Sequence, residues 1–599
     1  MSGTPGAVHP RPQMVRDTWV DLGGEWGFAY DDDDVGLSAH WQTSTDPFDR
    51  TIVVPYPPES KLSGVHDPSY HPVVWYRRTL PIPDLRNGER LLLHFGAVDY
   101  RARVWVDGTV VGEHEGGHTP FTCDVTDALG QPGGPAVVVV RAEDHAGDVS
   151  QPRGKQDWEP EPHLIWYHRS TGIWQPVWLE PVPATHIVEL QWVPEIPAGR
   201  VRLELGLNRA PPVPLTLRLT LRFGAETLAE QSVRVADRDT VVEVAVPALR
   251  HPQAAERLLW APRSPTLVDA DVELLHETTR VDRVTSYLGL RTVGTGDGRF
   301  LLNGLPYYLR GVLTQGYWSE SHLAAPDADA LRREVEVIKS LGFNAVRVHQ
   351  KVEDPRFLYW CDRLGLLVWG EMPSAYVFDQ QAVRRSTTEW LEVLRRDRSH
   401  PCIVTWVPIN ESWGVYDIAT DPAQRSFATA IYHLTKAVDP HRPVISNDGW
   451  EHTVSDIWTV HDYAARGSQL RARYGDRARL EEMLHRGRPA RRRILLDDDA
   501  DAGQPVMLTE FGGIRVVSSD DRGGWGYSSV ESVEGFADRL QELVDAVLDS
   551  SALAGFCYTQ LSDTGQEQNG LLTADRRPKI PPARVSRIVR RPARAVQPL

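Results

Sequence analysis

The sequence predicts two all-β sandwiches followed by a (β/α)8 TIM barrel. Three observations carry this: short alternating runs up to about residue 180, a cleaner alternation over roughly 182–281, and a change to helix-then-strand periodicity after Gly289. At 599 residues the chain exceeds one hydrophobic core, and roughly 150 residues per domain is compatible with three units. The boundaries expected are 1–181, 182–288 and 289–599.

In the first unit, Tyr100-Arg-Ala-Arg-Val-Trp-Val106 alternates and ends in Asp107-Gly108, a hairpin signal. Further strand runs fall at 90–95, 136–141 and 175–179. In the second, Leu215, Leu217, Leu219, Leu221 and Phe223 face one way while Thr216, Arg218, Thr220 and Arg222 face the other, as a half-buried strand of a small sandwich requires. In the third, Asp327 can cap a helix that places Leu331, Val335, Ile338 and Leu341 on one face, and Gly342 ends it. The apolar run 343–348 follows at once. A second helix near 354–364 stops at Gly365 and leads into 366–371. With 307–313, 403–409, 443–446, 457–460, 506–509 and 554–559, eight buried runs alternate with helices, and function is expected at the carboxyl ends of the strands. The arginines at 584, 587, 590, 591 and 594 suggest a mobile basic tail.

Composition narrows the partners. Hydrophobic residues make up 41% and charged residues 24%, so the chain is globular. Lys and Arg total 65 against 81 Asp and Glu, and the net charge of −16 repels phosphate backbones and anionic lipid. No nucleic acid and no membrane partner is expected; a homo-oligomer remains open. The four cysteines, Cys123, Cys361, Cys402 and Cys557, form no metal pattern and are expected as buried free thiols. No apolar stretch reaches membrane-spanning length and the first residues carry no leader-like apolar run, so a cytoplasmic location is expected.

Two carboxyls at strand ends are the chemical signal. Glu411 lies just past the fourth apolar run and Glu510 just past the seventh, flanked by Asn410 and Trp413 and by Phe511-Gly512-Gly513. Glycoside hydrolysis needs one carboxylic acid to protonate the leaving oxygen and one carboxylate on the opposite face of the sugar. One glutamate closing a strand is more often a rim ion pair; two, on strands four and seven of one barrel, point to catalysis.

With these motifs the chain resembles glycoside hydrolase family 2, the family of β-galactosidases, β-glucuronidases and β-mannosidases. Val74-Trp-Tyr-Arg-Arg78, Gly112-Glu-His-Glu-Gly-Gly-His-Thr-Pro-Phe121 and Thr171-Gly-Ile-Trp-Gln-Pro-Val-Trp178 resemble its jelly-roll sugar-binding domain. Trp260-Ala-Pro with Ser264-Pro-Thr-Leu267 resembles the end of its immunoglobulin-like domain. Asn303-Gly, Tyr308-Leu-Arg-Gly311, Gly342-Phe-Asn-Ala-Val-Arg347, His400-Pro-Cys-Ile-Val404, Asn410-Glu411 and Thr509-Glu510 resemble its barrel. The resemblance implies a retaining exo-β-glycosidase acting on a small-molecule or oligosaccharide β-glycoside, β-galactosidase-like, with Glu411 as acid/base and Glu510 as nucleophile. It also implies that Asn410 binds the sugar 2-hydroxyl, that Arg347 is the cationic partner of Glu510 and that Tyr463 donates to Glu510. His349 and Glu371 are expected to line the sugar subsite, with Trp406, Trp413 or Trp525 as its aromatic floor.

The chain also departs from the family's pattern. Where metal-using β-galactosidases place a His two residues after a Glu, Glu371 is followed by Pro373, so no metal and no cofactor are expected. Where β-glucuronidases carry Asn-x-Lys, this chain offers Gln568-Asn569, which weakens a uronic-acid substrate; Tyr558 stands at the place of a tryptophan platform. β-Glucuronidase or β-galacturonidase activity is the alternative within the family, and a non-catalytic carbohydrate-binding protein the alternative outside it.

Overall fold

The computed structural model describes residues 8–130, 135–497, 501–517 and 523–596. The first domain is a jelly-roll sandwich in which a four-stranded and a six-stranded antiparallel sheet enclose Leu22, Phe28, Val74, Tyr76, Leu93 and Val140. The hairpin Arg101–Val106 to Thr109–Glu115 forms as predicted, with Asp107 and Gly108 at φ 46° and 78°, the left-handed values that a turn matching the strand twist requires.

The second domain is the immunoglobulin-like sandwich. Ile187–Glu195, Arg200–Leu207 and Asp239–Ala245 form one sheet. Glu226–Val235, Leu215–Phe223, Val268–His276 and Thr279–Leu288 form the other, with the alternating leucines buried between them. The segment around Met14, expected with the first domain, packs here: Met14 joins this core and Val15 bridges to Thr285. An apolar side chain near a terminus joins whichever face it can cover, and pattern alone does not name that face.

In the third domain Asp327 caps Ala328–Ser340 by accepting from the Ala330 amide, and Asp354 caps Pro355–Leu364 by accepting from the Arg356 amide. Each helix hands over to a strand, and the parallel sheet curls through strand four (Ile403–Val407), three (Leu367–Glu371), two (Ala345–Val348), one (Leu309–Thr314), eight (Leu553–Thr559), seven (Val506–Gly512) and six (Trp458–His461). The expected strand at 443–446 is not regular. That segment makes single parallel bridges, Trp406 to Val444 and Asn410 to Asp448, and its polar groups serve the site instead.

The basic tail is a further correction. Pro582–Val589 is a helix that buries Val585, Ile588 and Val589 on the barrel, and Arg591 pairs with Asp545 and Asp549. Its arginines lie on the solvent face of an amphipathic turn, a pattern their density in the sequence obscured. All four cysteines are free and buried. Among the described residues no helix is long and apolar enough to cross a membrane.

Candidate active site

The carboxyl ends of the barrel strands bring Glu411, Glu510, Arg347, Asn410 and Tyr463 into one hydrogen-bonded set. Carboxylate oxygens of Glu411 and Glu510 and a ring nitrogen of His461 lie within 4.8 Å of one another. Arg347, from strand two, is fully buried and holds the set together: its Nε donates to Glu371 Oε2 at 2.6 Å, one terminal nitrogen donates to Glu510 Oε1 at 2.8 Å, and the other donates to Asn410 Oδ1 at 2.6 Å. The same guanidinium is 2.7 Å from Asp448 Oδ2. With its oxygen so engaged, the amide nitrogen is the part of Asn410 left to donate elsewhere.

The Tyr463 hydroxyl donates to Glu510 Oε2 at 2.5 Å, and the Tyr527 ring stacks on its ring. Burial and the nearby Glu510 push the Tyr463 hydroxyl well above its ordinary value, so it stays protonated and remains a donor. His461 closes strand six where the register slips by one residue, an irregularity of the kind that re-aims a side chain. Its Nδ1 is 2.6 Å from Glu411 Oε1 and 3.5 Å from Glu510 Oε2, and its Nε2 is 3.2 Å from Asp448 Oδ2. Burial alone would lower this imidazole, but Glu510, Asp448 and Glu411 outweigh it and raise the pKa to about 10. His461 is therefore a buried cation donating to carboxylates on both sides. Glycine is required at 449: at φ 102° an added Cβ would lie 2.5 Å from the imidazole.

Glu411 sits on strained backbone. Glu411 and Ser412 have φ of 51° and 58°, uncommon for residues with a side chain. The irregular fifth segment holds them there: the Glu411 amide donates to Asp448 O, the Ser412 amide to Asn447 Oδ1 at 2.9 Å, and the Ser412 hydroxyl to Glu451 Oε2 at 2.6 Å.

Two expectations for the sugar subsite are corrected. Glu371 does not line it; its carboxylate is buried beneath, accepting from Arg347 and from the Gln350 amide, with His349 Nδ1 3.1 Å away. Trp406 is core, donating to Asp439 and meeting Trp390 edge-on. His349 does end strand two within 4.0 Å of Glu510, and burial together with Arg347 drives it well below its ordinary pKa, so it is neutral. Trp413 lies outside the hydrogen-bonded set, in an aromatic cluster with Trp166 of the first domain, Tyr376 and Tyr416. Sequence reasoning gave no role to Asp448, His461 or Tyr527. His461 closes an apolar run as Glu510 does, which was a usable signal; Asp448 and Tyr527 lie in irregular segments with none.

Glu411, His461 and Glu510 are close enough to share a cation, but His461 holds both ring nitrogens toward carboxylates as donors, and a protonated imidazole has no lone pair for a metal.

The comparisons agree with this architecture. The model of the glycosyl hydrolases family 2 sugar binding domain matches residues 20–150, and that of the family's TIM barrel domain matches 293–589, together more than two thirds of the chain. A β-galactosidase of Thermoanaerobacter pseudethanolicus is 29% identical over 61% of this chain and 49% of its own length. A β-glucuronidase of Felis catus is 26% identical over 76% of this chain and 73% of its own. The chain thus spans about half the length of the first of these curated relatives. A solved β-glucuronidase of an uncultured Clostridium sp. has the same fold, with a TM-score of 0.75 over 96% of this chain and 99% of that one at 19% identity. With matching domains in matching order and two glutamates meeting at the barrel mouth, the chain belongs to the glycosyl hydrolases of family 2.

Proposed function

We propose that the protein is a retaining exo-β-glycosidase that releases a neutral terminal sugar, in the manner of a β-galactosidase, with Glu510 as nucleophile and Glu411 as acid/base. The observation that carries this reading is the approach of the two carboxylates within 4.8 Å. Direct attack needs carboxyls about 5–5.5 Å apart, whereas inversion needs roughly 6.5–9.5 Å to seat a water between them. Glu510 accepts from Arg347 and Tyr463 and is aimed at the anomeric carbon; Glu411, with the more exposed carboxylate of the two (14% against 6%), is placed to protonate the leaving oxygen and then to activate water. Asn410 supplies the 2-hydroxyl contact that strengthens in the transition state. No metal is required.

Proton NMR of a nitrophenyl β-galactoside digest tests the mechanism: the β-anomer should appear first, and first appearance of the α-anomer would overturn the retaining assignment. Exhaustive EDTA treatment should leave the rate unchanged. A uronidase is the second reading, favoured by a cation near the pocket, Lys155, which bears electrostatically on His349.

A further inference from the structure

One helix of the barrel is the seat of the first domain. Gln380–Asp397 follows strand three, and Asp379 caps it by accepting from the Ala382 amide at 2.7 Å. Near its start the buried Arg385 donates to Glu115 Oε1 at 2.6 Å, to Asp148 Oδ2 at 2.8 Å and to the Ser150 hydroxyl at 2.5 Å, all in the first domain. Arg384 adds a second donor to Glu115 at 3.0 Å. Charge is matched at this end of the seam. Glu389 stands four residues further along, on the same helix face, and is 1% exposed. It lies directly against first-domain backbone: at Gly116, φ 147°, an added Cβ would be 3.3 Å from the carboxyl carbon of Glu389.

Charge is not matched at Glu389. Among the described residues neither of its oxygens makes a well-formed hydrogen bond, and the Tyr100 hydroxyl and both ring nitrogens of His118 share that state, each in an equally buried side chain. The charged and titratable groups facing it are Glu392 on its own helix and Asp99, Tyr100 and His118 on the first domain. Arg385 lies over the Tyr100 ring at 5.1 Å, but its guanidinium is already met by Glu115 and Asp148. His118 is neutral, its pKa lowered to about 3 by burial and by the charges of Lys351 and Arg396. Burial, opposed by the nearby Tyr100 hydroxyl and reinforced by Asp99 and Glu392, drives the Glu389 carboxyl well above its ordinary value. Asp99 is raised in turn by burial and by Asp144. A carboxyl taken out of water with no cation beside it keeps a proton instead.

We propose that a proton closes this seam: the Glu389 carboxyl is uncharged while the first domain is docked on the barrel, and its ionisation in alkaline solution loosens the docking. Asp99 carries the effect toward the barrel mouth. Gln156 Nε2 donates to Asp99 Oδ2 at 2.7 Å, and the Ser170 amide donates to Gln156 Oε1 at 2.7 Å, which ties the two ends of the first-domain loop 153–170 to the seam. That loop reaches the strand ends. At Gly154 an added Cβ would lie 2.2 Å from the Gln350 carbonyl oxygen, just past strand two, and Lys155 Nζ meets Glu567 Oε2 at 3.2 Å. The sign of the pH dependence follows from the direction of the shift. Glu389 ionises near its ordinary 4.5 in the unfolded chain and only at higher pH in the folded one, so stability falls as pH rises from about 4.5 toward the folded value.

The test needs no substrate. The full chain is melted at pH 5 and pH 8.5, at one scan rate, as wild type, Glu389→Gln and Asp99→Asn, and hydrogen exchange of residues 153–170 is followed at pH 8.5. Glu389→Gln keeps the shape of the side chain and removes its charge, so its melting temperature relative to the wild type should be at least about 3 °C higher at pH 8.5 than at pH 5. Exchange in 153–170 should be slower than in the wild type at pH 8.5. Asp99→Asn removes the negative charge facing Glu389 and should widen the gap in the same direction by a smaller amount, which keeps the test open if Glu389→Gln does not fold. A gap equal at the two pH values in both variants overturns the proposal. A Glu389→Gln protein that is less stable than the wild type at pH 8.5 alone also overturns it, because Glu389 would then be ionised and stabilising in the folded chain. A widened gap with unchanged exchange in 153–170 overturns the link to the barrel mouth.

Discussion

The ends of strands four and seven carry the same residue type in opposite circumstances. Glu510 lies within a wholly buried strand, and its carboxylate meets Arg347, Tyr463 and, at 3.5 Å, His461. Glu411 lies past the end of its strand on left-handed backbone, and among the described residues the close partner of its carboxylate is His461 at 2.6 Å. A nucleophile must be fixed in position and stabilised as an anion, which cations and a hydroxyl on a rigid strand accomplish. An acid/base must gain and lose a proton in each cycle, so fewer charged partners and some contact with solvent suit it. The backbone of Glu411, strained and braced by Asn447, Asp448 and Glu451, fixes its direction and leaves the imidazole of His461 as the charged group its carboxylate meets.

The contrast is broken most severely by deleting each carboxylate. Glu510→Ala should lower kcat by at least about 10⁴-fold on every substrate. Glu411→Ala should lower it by about 10²–10⁴-fold on substrates with poor leaving groups, much less on a dinitrophenyl glycoside, with azide restoring turnover as a β-glycosyl azide. Equal losses on the dinitrophenyl substrate, or azide rescue giving an α-azide in the Glu510 variant alone, would exchange or undo the roles.

Arg347→Met removes the cation on which Glu510, Glu371 and Asp448 converge. Loss of one partner from buried ion pairs should cost about 3–5 kcal/mol in urea unfolding, together with most of the activity. A variant as stable as the wild type would show that these carboxylates find other compensation.

His461 links the two sides, and its contribution has a defined pH window. Its folded pKa is raised to about 10 from an ordinary 6.5, so the stabilisation is complete below about pH 6.5 and is lost as pH rises through about 10. His461→Asn should therefore cost about 2 kcal/mol near pH 6 and progressively less toward pH 10. A penalty that grows with pH would mean that the imidazole is neutral in the folded protein.

Asn447→Ala is the smallest and most selective test, because its Oδ1 accepts from the Ser412 amide and its amide nitrogen donates to the Ser412 hydroxyl and to Trp450 O. We expect roughly a tenfold fall in kcat on alkyl glycosides and little change on dinitrophenyl glycosides. Equal falls on both would indicate that the fifth segment supports the whole barrel mouth rather than Glu411.

Much of this was legible in the chain because the relevant signals are local. Asp327 and Gly342 bracket a helix, alternating leucines 215–221 mark a half-buried strand, and Glu411 and Glu510 each close an apolar run. The misreadings share a cause. Glu371 closes a strand as Glu510 does, yet its direction under Arg347 depends on strand two lying beside strand three. The tail helix was hidden because its three buried residues gain meaning only against the barrel surface that covers them.

Residue order by itself determined the three-domain succession, the strand ends and the residue types placed there, since periodicity, caps and turns act over a few residues. Tertiary structure alone decided which strand-end groups share one site and in what charge state: whether Glu371 faces sugar or arginine, whether His461 is a cation, and how Lys155 comes to stand 3.2 Å from Glu567. Those outcomes depend on Coulomb and desolvation energies that change steeply over a few ångströms, between groups whose separation along the chain carries no trace of their proximity.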